Sequence, residues 1–200
     1  MRLLVDIGNT RAKVAVWDAC GRQVELFEAE SFDKELLDRV LRLYQAEAAI
    51  VSSTRNDAPR AVALLEAAGV KTWPLTATLP LPIGIDYRTP ETLGRDRVAA
   101  AVGAMVRYPE RNVLVVDLGT AMTLDLVTAD GVFRGGAISL GYSNRLRALH
   151  EYTATLPLGE PLMGGEEPFS LQGHTTCEAI EWGVFHSILF EIEGYKARLE

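Results

Sequence analysis

One short pattern occurs twice in this chain. Residues 5–10 read Val-Asp-Ile-Gly-Asn-Thr and residues 116–121 read Val-Asp-Leu-Gly-Thr-Ala, so that Asp6 and Asp117 stand 111 positions apart. Each copy follows an apolar run, Leu3-Leu4-Val5 in the first and Val113-Leu114-Val115-Val116 in the second, and each precedes another strand-like segment. An aspartate at the end of a buried strand, followed at once by a glycine turn, sets a carboxylate beside free backbone N–H groups. The missing Cβ lets a phosphate approach the main chain. The repeat therefore predicts two halves built on one plan, with turns that grip a nucleotide phosphate chain and its cations when they face each other.

The rest of the pattern fits that plan. Strands are expected at 2–7, 12–18 and 22–28, joined by Gly8-Asn9 and Ala19-Cys20-Gly21 turns. Phe32, Leu36, Leu37, Val40, Leu41 and Tyr44 recur at helical spacing behind a Ser31 cap and acidic Asp33 and Glu35. A strand at 48–51 leads to a helix that Asn56 or Asp57 caps and Gly69 stops, and a strand follows at 70–75. Residues 76–88 read as an ordered loop or crossover. Thr89-Pro90-Glu91 predicts a helix start, with the helix running to about Met105. A second meander is expected at 113–117, 122–127 and 132–133. Two helices, near 143–152 and 177–199, close the chain on either side of a Pro/Gly-rich stretch at 157–173. This is an α/β chain of mixed sheets with covering helices, divided into halves at 1–88 and 89–200.

Composition narrows the functional classes. A hydrophobic fraction of 48% with 24% charged residues suits a soluble globular protein, and the net charge of −7 argues against nucleic acid as partner. The longest apolar run, residues 98–106, is too short to span a bilayer, and the strand-like start at Arg2 predicts no signal peptide. Two cysteines without metal-like spacing, Cys20 and Cys177, point to a reducing, cytoplasmic setting. His150, His174 and His186 are scattered, and neither a Walker-type Gly-x-x-x-x-Gly-Lys nor a Gly-x-Ser-x-Gly elbow is present.

Four segments carry the candidate chemistry. Asp6-Ile7-Gly8-Asn9-Thr10-Arg11-Ala12-Lys13 reads either as a hairpin with a solvated Lys13 or as a phosphate cradle. In the cradle, Asn9 and Thr10 donate to phosphate oxygens, Lys13 adds a cation and Asp6 organises a hydrated Mg²⁺. Asp117-Leu118-Gly119-Thr120-Ala121-Met122-Thr123 offers hydroxyls at Thr120 and Thr123, with Asp117 at a buried strand end that calls for a cation. Gly94-Arg95-Asp96-Arg97 reads as a charged helix turn, or as a base (Asp96) and a carboxylate clamp (Arg97) for a substrate with a hydroxyl and an acid group. Gly94 within a helix costs about 1 kcal/mol relative to Ala, so a close approach should account for it. In Gly135-Gly136-Ala137-Ile138-Ser139-Leu140-Gly141, the glycines imply either backbone near a ligand or another chain segment, or simple turn geometry.

Taken in order, these segments resemble the type III pantothenate kinases, of the acetate-kinase, sugar-kinase, Hsp70 and actin superfamily, from Met1 to about Tyr195. The resemblance implies two ribonuclease-H-like halves in an actin-like kinase fold. Residues 6–13 match the family's first phosphate motif, Asp-x-Gly-Asn-Ser/Thr-x-x-Lys. Tyr87 and Gly94 to Arg97 match its pantothenate-contacting segment, with Asp96 as general base, and Thr176 matches a second substrate contact. Asp117 is implied to bind a monovalent cation, K⁺ or NH₄⁺, and Thr120 to contact ATP. The stretch from Arg145 to Pro157 resembles Arg-x-x-Ala-Leu-His-x-x-Thr-Ala-x-Leu-Pro, and Leu140 stands where the family usually has Pro. The implied activity is ATP-dependent phosphorylation of pantothenate, the first step towards coenzyme A, by a homodimer. Two alternatives remain at this level: a non-enzymatic regulator, as in the family's Bvg accessory factors, and a kinase acting on a sugar or another small acid. Family members continue past the equivalent of Glu200 with a strand, a Gly-Gly loop that helps hold the nucleotide and a helix, so a short form is expected to hold ATP less well.

Overall fold

The computed structural model describes residues 1–55, 57–76, 78–162 and 170–199. It comprises two compact units, Met1–Pro82 with Tyr87–Val102 and Ile83–Asp86 with Gly103–Glu200.

In the first unit, β1 (Arg2–Ile7), β2 (Ala12–Trp17), β3 (Gln23–Ala29), β4 (Ala48–Ser53) and β5 (Lys71–Pro74) form one sheet in the order β3-β2-β1-β4-β5. The first three strands are antiparallel neighbours, while β4 and β5 run parallel to β1. That is the strand order of a ribonuclease-H-like half. Burial alternates with period two: Leu3, Val5 and Ile7 of β1 meet Ala12, Val14 and Val16 of β2 on the core side. Helix α1 (Lys34–Leu43) covers that side with Leu36, Leu37 and Val40, and α2 (Ala58–Ala67) with Ala61 and Leu65. Burying a side chain such as Leu65 contributes about 2–3 kcal/mol.

Caps explain where these helices begin. The cap of α1 is Asp33 and not Ser31: its carboxylate accepts the Leu36 N–H at 2.9 Å, which holds its pKa below the ordinary value. The Ser31 hydroxyl donates to Asp33 instead. Asp57 stands at the start of α2, with its carboxylate taken by the Ser53 hydroxyl at 2.8 Å; Asn56, the other expected cap, lies outside the described residues. Gly69 (φ +80°) ends that helix in the left-handed conformation.

In the second unit, β6 (Gly84–Ile85), β7 (Val113–Leu118), β8 (Ala121–Thr128) and β9 (Val132–Leu140) form a sheet in the order β6-β9-β8-β7. The antiparallel β7-β8-β9 meander repeats the opening of the first sheet, and the two-residue β6, expected as loop, joins β9 in parallel. β9 also runs far beyond its expected end at Phe133, because the glycine-rich segment is strand. Arg134 and Gly135 bulge opposite the single Leu126, with Gly135 at φ +83°. Gly136 lies so close to Leu124 that a Cβ would run into its carbonyl oxygen. Of the two readings of these glycines, close approach of another chain segment is the one observed, and the segment is the neighbouring strand.

Helices α4 (Tyr142–Glu151) and α5 (Thr176–Leu199) pack on this sheet, Leu146, Ile180, Val184 and Ile188 meeting Met122 and Leu124. The Ile180–Ile192 stripe of α5 is therefore core within the unit. Residues 163–169 of the Pro/Gly-rich stretch lie outside the described residues. Arg145 of α4 ties the layers together. It donates to the Leu140 carbonyl at 2.8 Å, to Ser139 at 3.0 Å, to Ser187 at 3.1 Å, and to the Glu191 carboxylate.

Burial alone would raise the pKa of Glu191, but hydrogen bonds from Arg145 and Ser139 and the charge of Arg145 hold it below the usual carboxylate value. A lowered folded-state pKa stabilises the fold above the unfolded value, 4.5, and that contribution fades as pH falls through the folded value. Glu191→Gln is therefore expected to melt at lower temperature than wild type at pH 7. The gap should close as pH drops below about 4.5 in parallel melts by circular dichroism.

Candidate active site

The connection between β1 and β2 is four residues, Gly8 to Arg11, closed by Gly8 N–H donating to the Arg11 carbonyl at 2.9 Å. Strand register sets Asp6 directly opposite Lys13 on the face away from the core, so carboxylate and ammonium share one side of the sheet. On the other flank Asp6 lies beside Ser52 of β4. Asn9, Thr10 and Arg11 are exposed, whereas the side chains of Ile7 and Ala12 are buried in the core, leaving only their main chain for a ligand. Arg11 also pairs with Glu28 across β3 at 3.2 Å.

The loop after β4 braces this turn. Thr54 N–H donates to the Ile7 carbonyl at 3.0 Å, and the Arg55 guanidinium reaches the Asn9 carbonyl. Ser53 in turn holds Arg55 through a 2.9 Å bond to its carbonyl. The sequence reading passed over Arg55. The available signal was its place in a polar Ser-Ser-Thr-Arg run, at the carboxyl end of a strand parallel to β1, the usual ligand edge of an open α/β sheet.

Residues 94–97 are built differently from the expected helix turn. Thr89 starts only one turn, in which Thr92 N–H bonds back to its carbonyl at 3.0 Å. Helix α3 (Arg95–Arg107) begins afresh at Arg95, with the Gly94 carbonyl accepting Val98 N–H at 3.3 Å. Gly94 is thus outside the helix, and its close neighbour is the Asp96 carboxylate: a Cβ on Gly94 would fall 2.5 Å from Asp96 Oδ1, which would have to shift. That oxygen accepts the Arg97 N–H at 2.9 Å, so Asp96 sits folded over the first turn of α3, where the helix dipole favours an anion. Arg97 is 6% exposed and its guanidinium lies 5.9 Å from the centre of the Tyr87 ring. Arg95 donates to the Pro90 carbonyl at 2.9 Å, a bond that secures the preceding turn.

The second unit holds the other predicted residues. The β7–β8 connection is two residues, Gly119 and Thr120, with Gly119 N–H bonding to the Ala121 carbonyl at 2.9 Å. Register sets Asp117 opposite Thr123, where the first turn has a lysine. Asp117 was expected at a buried strand end; it is exposed, as Asp6 is at the corresponding end of β1. The Thr120 carbonyl accepts Gly141 N–H at 3.1 Å and the Asn144 amide at 2.9 Å, so the start of α4 steadies the turn. Sequence reading missed Asn144, and it also missed Asp125, a carboxylate only 1% exposed whose Oδ1 lies over Gly136. Thr176 is the exposed first residue of α5, behind a capping box in which Glu178 N–H donates to the Thr175 hydroxyl at 3.2 Å and His174 N–H to Glu178 at 2.8 Å.

Among the described residues no group of three or more His, Cys, Asp or Glu side chains is placed to hold a metal ion. A dedicated cage is thus absent there, and the donor set fits Mg²⁺ in its other common mode, one carboxylate plus phosphate oxygens and water. Asp6 supplies such a carboxylate on an exposed strand end. No helix among the described residues is long and apolar enough to cross a membrane.

The family model of the type III pantothenate kinases matches residues 2–198. A type III pantothenate kinase of Azobacteroides pseudotrichonymphae is 39% identical over 196 residues, covering 98% of this chain and 78% of the relative. One from Bacteroides fragilis is 38% identical over 200 residues, covering 100% and 80%. Among solved structures, the activator of the 2-hydroxyisocaproyl-CoA dehydratase from Clostridium difficile with bound ADPNP aligns with a TM-score of 0.44 at 14% identity, over 95% of this chain and 66% of that one. Because the family model matches almost the whole of this chain, the chain belongs to the type III pantothenate kinase family.

Proposed function

We propose that this protein transfers the γ-phosphoryl group of ATP to the primary hydroxyl of pantothenate, giving ADP and 4′-phosphopantothenate, the first step of coenzyme A biosynthesis. Family membership supports the reaction class. The observation that carries the acceptor reading is the Gly94–Arg97 segment, with Asp96 held over a helix start and Arg97 against Tyr87.

In this reading Asp96 accepts the hydroxyl proton as the oxygen attacks phosphorus. An aspartate is a weak base for an alcohol, so its main contribution is to aim the oxygen in line with the leaving group. Its hydrogen bond from Arg97 N–H fixes one carboxylate oxygen and leaves the other to face the acceptor. Arg97, stiffened by the Tyr87 ring, holds the carboxylate or amide end of pantothenate, and Thr176 adds a second contact. Asn9, Thr10 and the turn's N–H groups bind phosphate oxygens, Lys13 offsets charge on the transferring group, and Thr120 meets ATP. Mg²⁺ held through Asp6 and the nucleotide supplies further charge neutralisation. The reading extends to K⁺ or NH₄⁺ at Asp117, to a homodimer and to a cytoplasmic location, each supported by likeness to the family.

ADP release measured across pantothenate, sugars and acetate tests the acceptor; activity with sugar or acetate but not pantothenate would overturn it. Asp96→Asn is expected to fold normally and lose turnover by about two orders of magnitude or more, the scale of general acid–base assistance. Near-normal turnover would remove Asp96 as the base. Gly94→Ala, which must push the Asp96 carboxylate aside, is expected to cut kcat while the circular dichroism spectrum stays that of wild type. Exchanging K⁺ for Na⁺ should depress activity if Asp117 seats a monovalent cation, and Asp117→Asn should abolish that ion sensitivity.

A further inference from the structure

We propose that Ser52 is a positioning residue for the nucleotide, its Oγ donating to an oxygen of the hydrated Mg²⁺–phosphate assembly received by Asp6 and Lys13. The inference rests on the ATP reading above and concerns a residue that the family motifs named here do not include.

Ser52 lies one residue before the end of β4, in parallel register with Asp6. Its neighbours Val51 and Ser53 alternate to the other side: Val51 belongs to the core, and the Ser53 hydroxyl is committed to Arg55 and Asp57. Ser52 therefore continues a row that crosses three adjacent strands, Lys13–Asp6–Ser52, on the face away from α1 and α2. At a strand spacing of about 4.8 Å the row is about 10 Å wide. It presents a cation, a carboxylate and a hydroxyl, the three group types that a phosphate and a hydrated divalent ion need side by side.

The hydroxyl itself is unusual. Ser52 is 9% exposed, and among the described residues its Oγ has no hydrogen-bond partner. A buried hydroxyl without a partner is destabilising, and alanine at the same strand position would remove that penalty. The described residues leave the donor unused, while the neighbouring side chain in its row is the carboxylate assigned to the metal. A hydrogen bond from Ser52 to an ionic oxygen ligand would form only when the nucleotide is bound. Such a group raises ligand affinity at the expense of the free protein's stability.

The test compares full-length wild type, Ser52→Ala and Ser52→Thr by thermal melting and by calorimetric titration with Mg²⁺·ATP, and with ATP in EDTA, in the absence of pantothenate. Ser52→Ala is expected to melt at the wild-type temperature or above when free, yet to bind Mg²⁺·ATP about tenfold more weakly. Ser52→Thr, which keeps the hydroxyl, is expected to restore binding. A loss confined to Mg²⁺·ATP assigns the accepting oxygen to the metal's hydration shell, and a loss in both titrations assigns it to phosphate. An Ala variant with wild-type affinity overturns the proposal while leaving the ATP reading intact. An Ala variant that melts lower when free also overturns it, since the hydroxyl would then serve the fold. A wild-type protein that binds no ATP removes the nucleotide reading, and this proposal with it.

Discussion

Leu3, Val5 and Ile7 cannot be buried without turning Asp6 to the opposite face of the sheet, because side chains along a strand alternate with period two. The same constraint on β2 buries Ala12, Val14 and Val16 and turns Lys13 outward. Antiparallel pairing then sets these two outward residues opposite each other, and parallel pairing with β4 adds Ser52. A one-residue slip in either ladder would put charges into the core and apolar side chains on the site. The hydrophobic core thus holds the register, and the register holds the polar row. The phosphate turn inherits its geometry from packing several residues away.

The two Asp-x-Gly turns share a plan but not an environment. The first closes over four residues, faces a lysine and is braced by Thr54 and Arg55 from the loop after β4. The second closes over two, sets its edge-strand aspartate opposite a threonine, and is steadied by Gly141 and Asn144 at the start of α4. The first turn thus pairs its aspartate with a cationic side chain and the second with a hydroxyl. The difference in partner residue was visible in the chain. The difference in bracing follows from which segment lies beside each turn.

Gly94 illustrates how local rules mislead at a functional segment. Thr89-Pro90-Glu91 has the composition of a helix start, and it does make a turn. The helix proper starts only at Arg95, and the Asp96 carboxylate lies close over Gly94 just before it. Likewise Ser31 has the chemistry of a cap, but Asp33 stands at the residue where the first free N–H groups of α1 converge. The glycines at 135–141 carry turn composition and yet lie in a strand or at its end; Gly136 is required by the carbonyl of the strand beside it.

The chain by itself determined the element order apart from the short β6, the duplicated meander, the alternation of core and outward faces, and the residues matching the family's phosphate and acceptor motifs. These are properties of neighbours in sequence, set by side-chain period and turn chemistry. The tertiary structure decided what depends on distant partners: the burial of Arg97 against Tyr87, the bracing by Arg55 and Asn144, and the Ser52 hydroxyl left unpaired among the described residues. Each of these is fixed by which strand or helix lies beside the residue, a long-range pairing that no local spacing encodes.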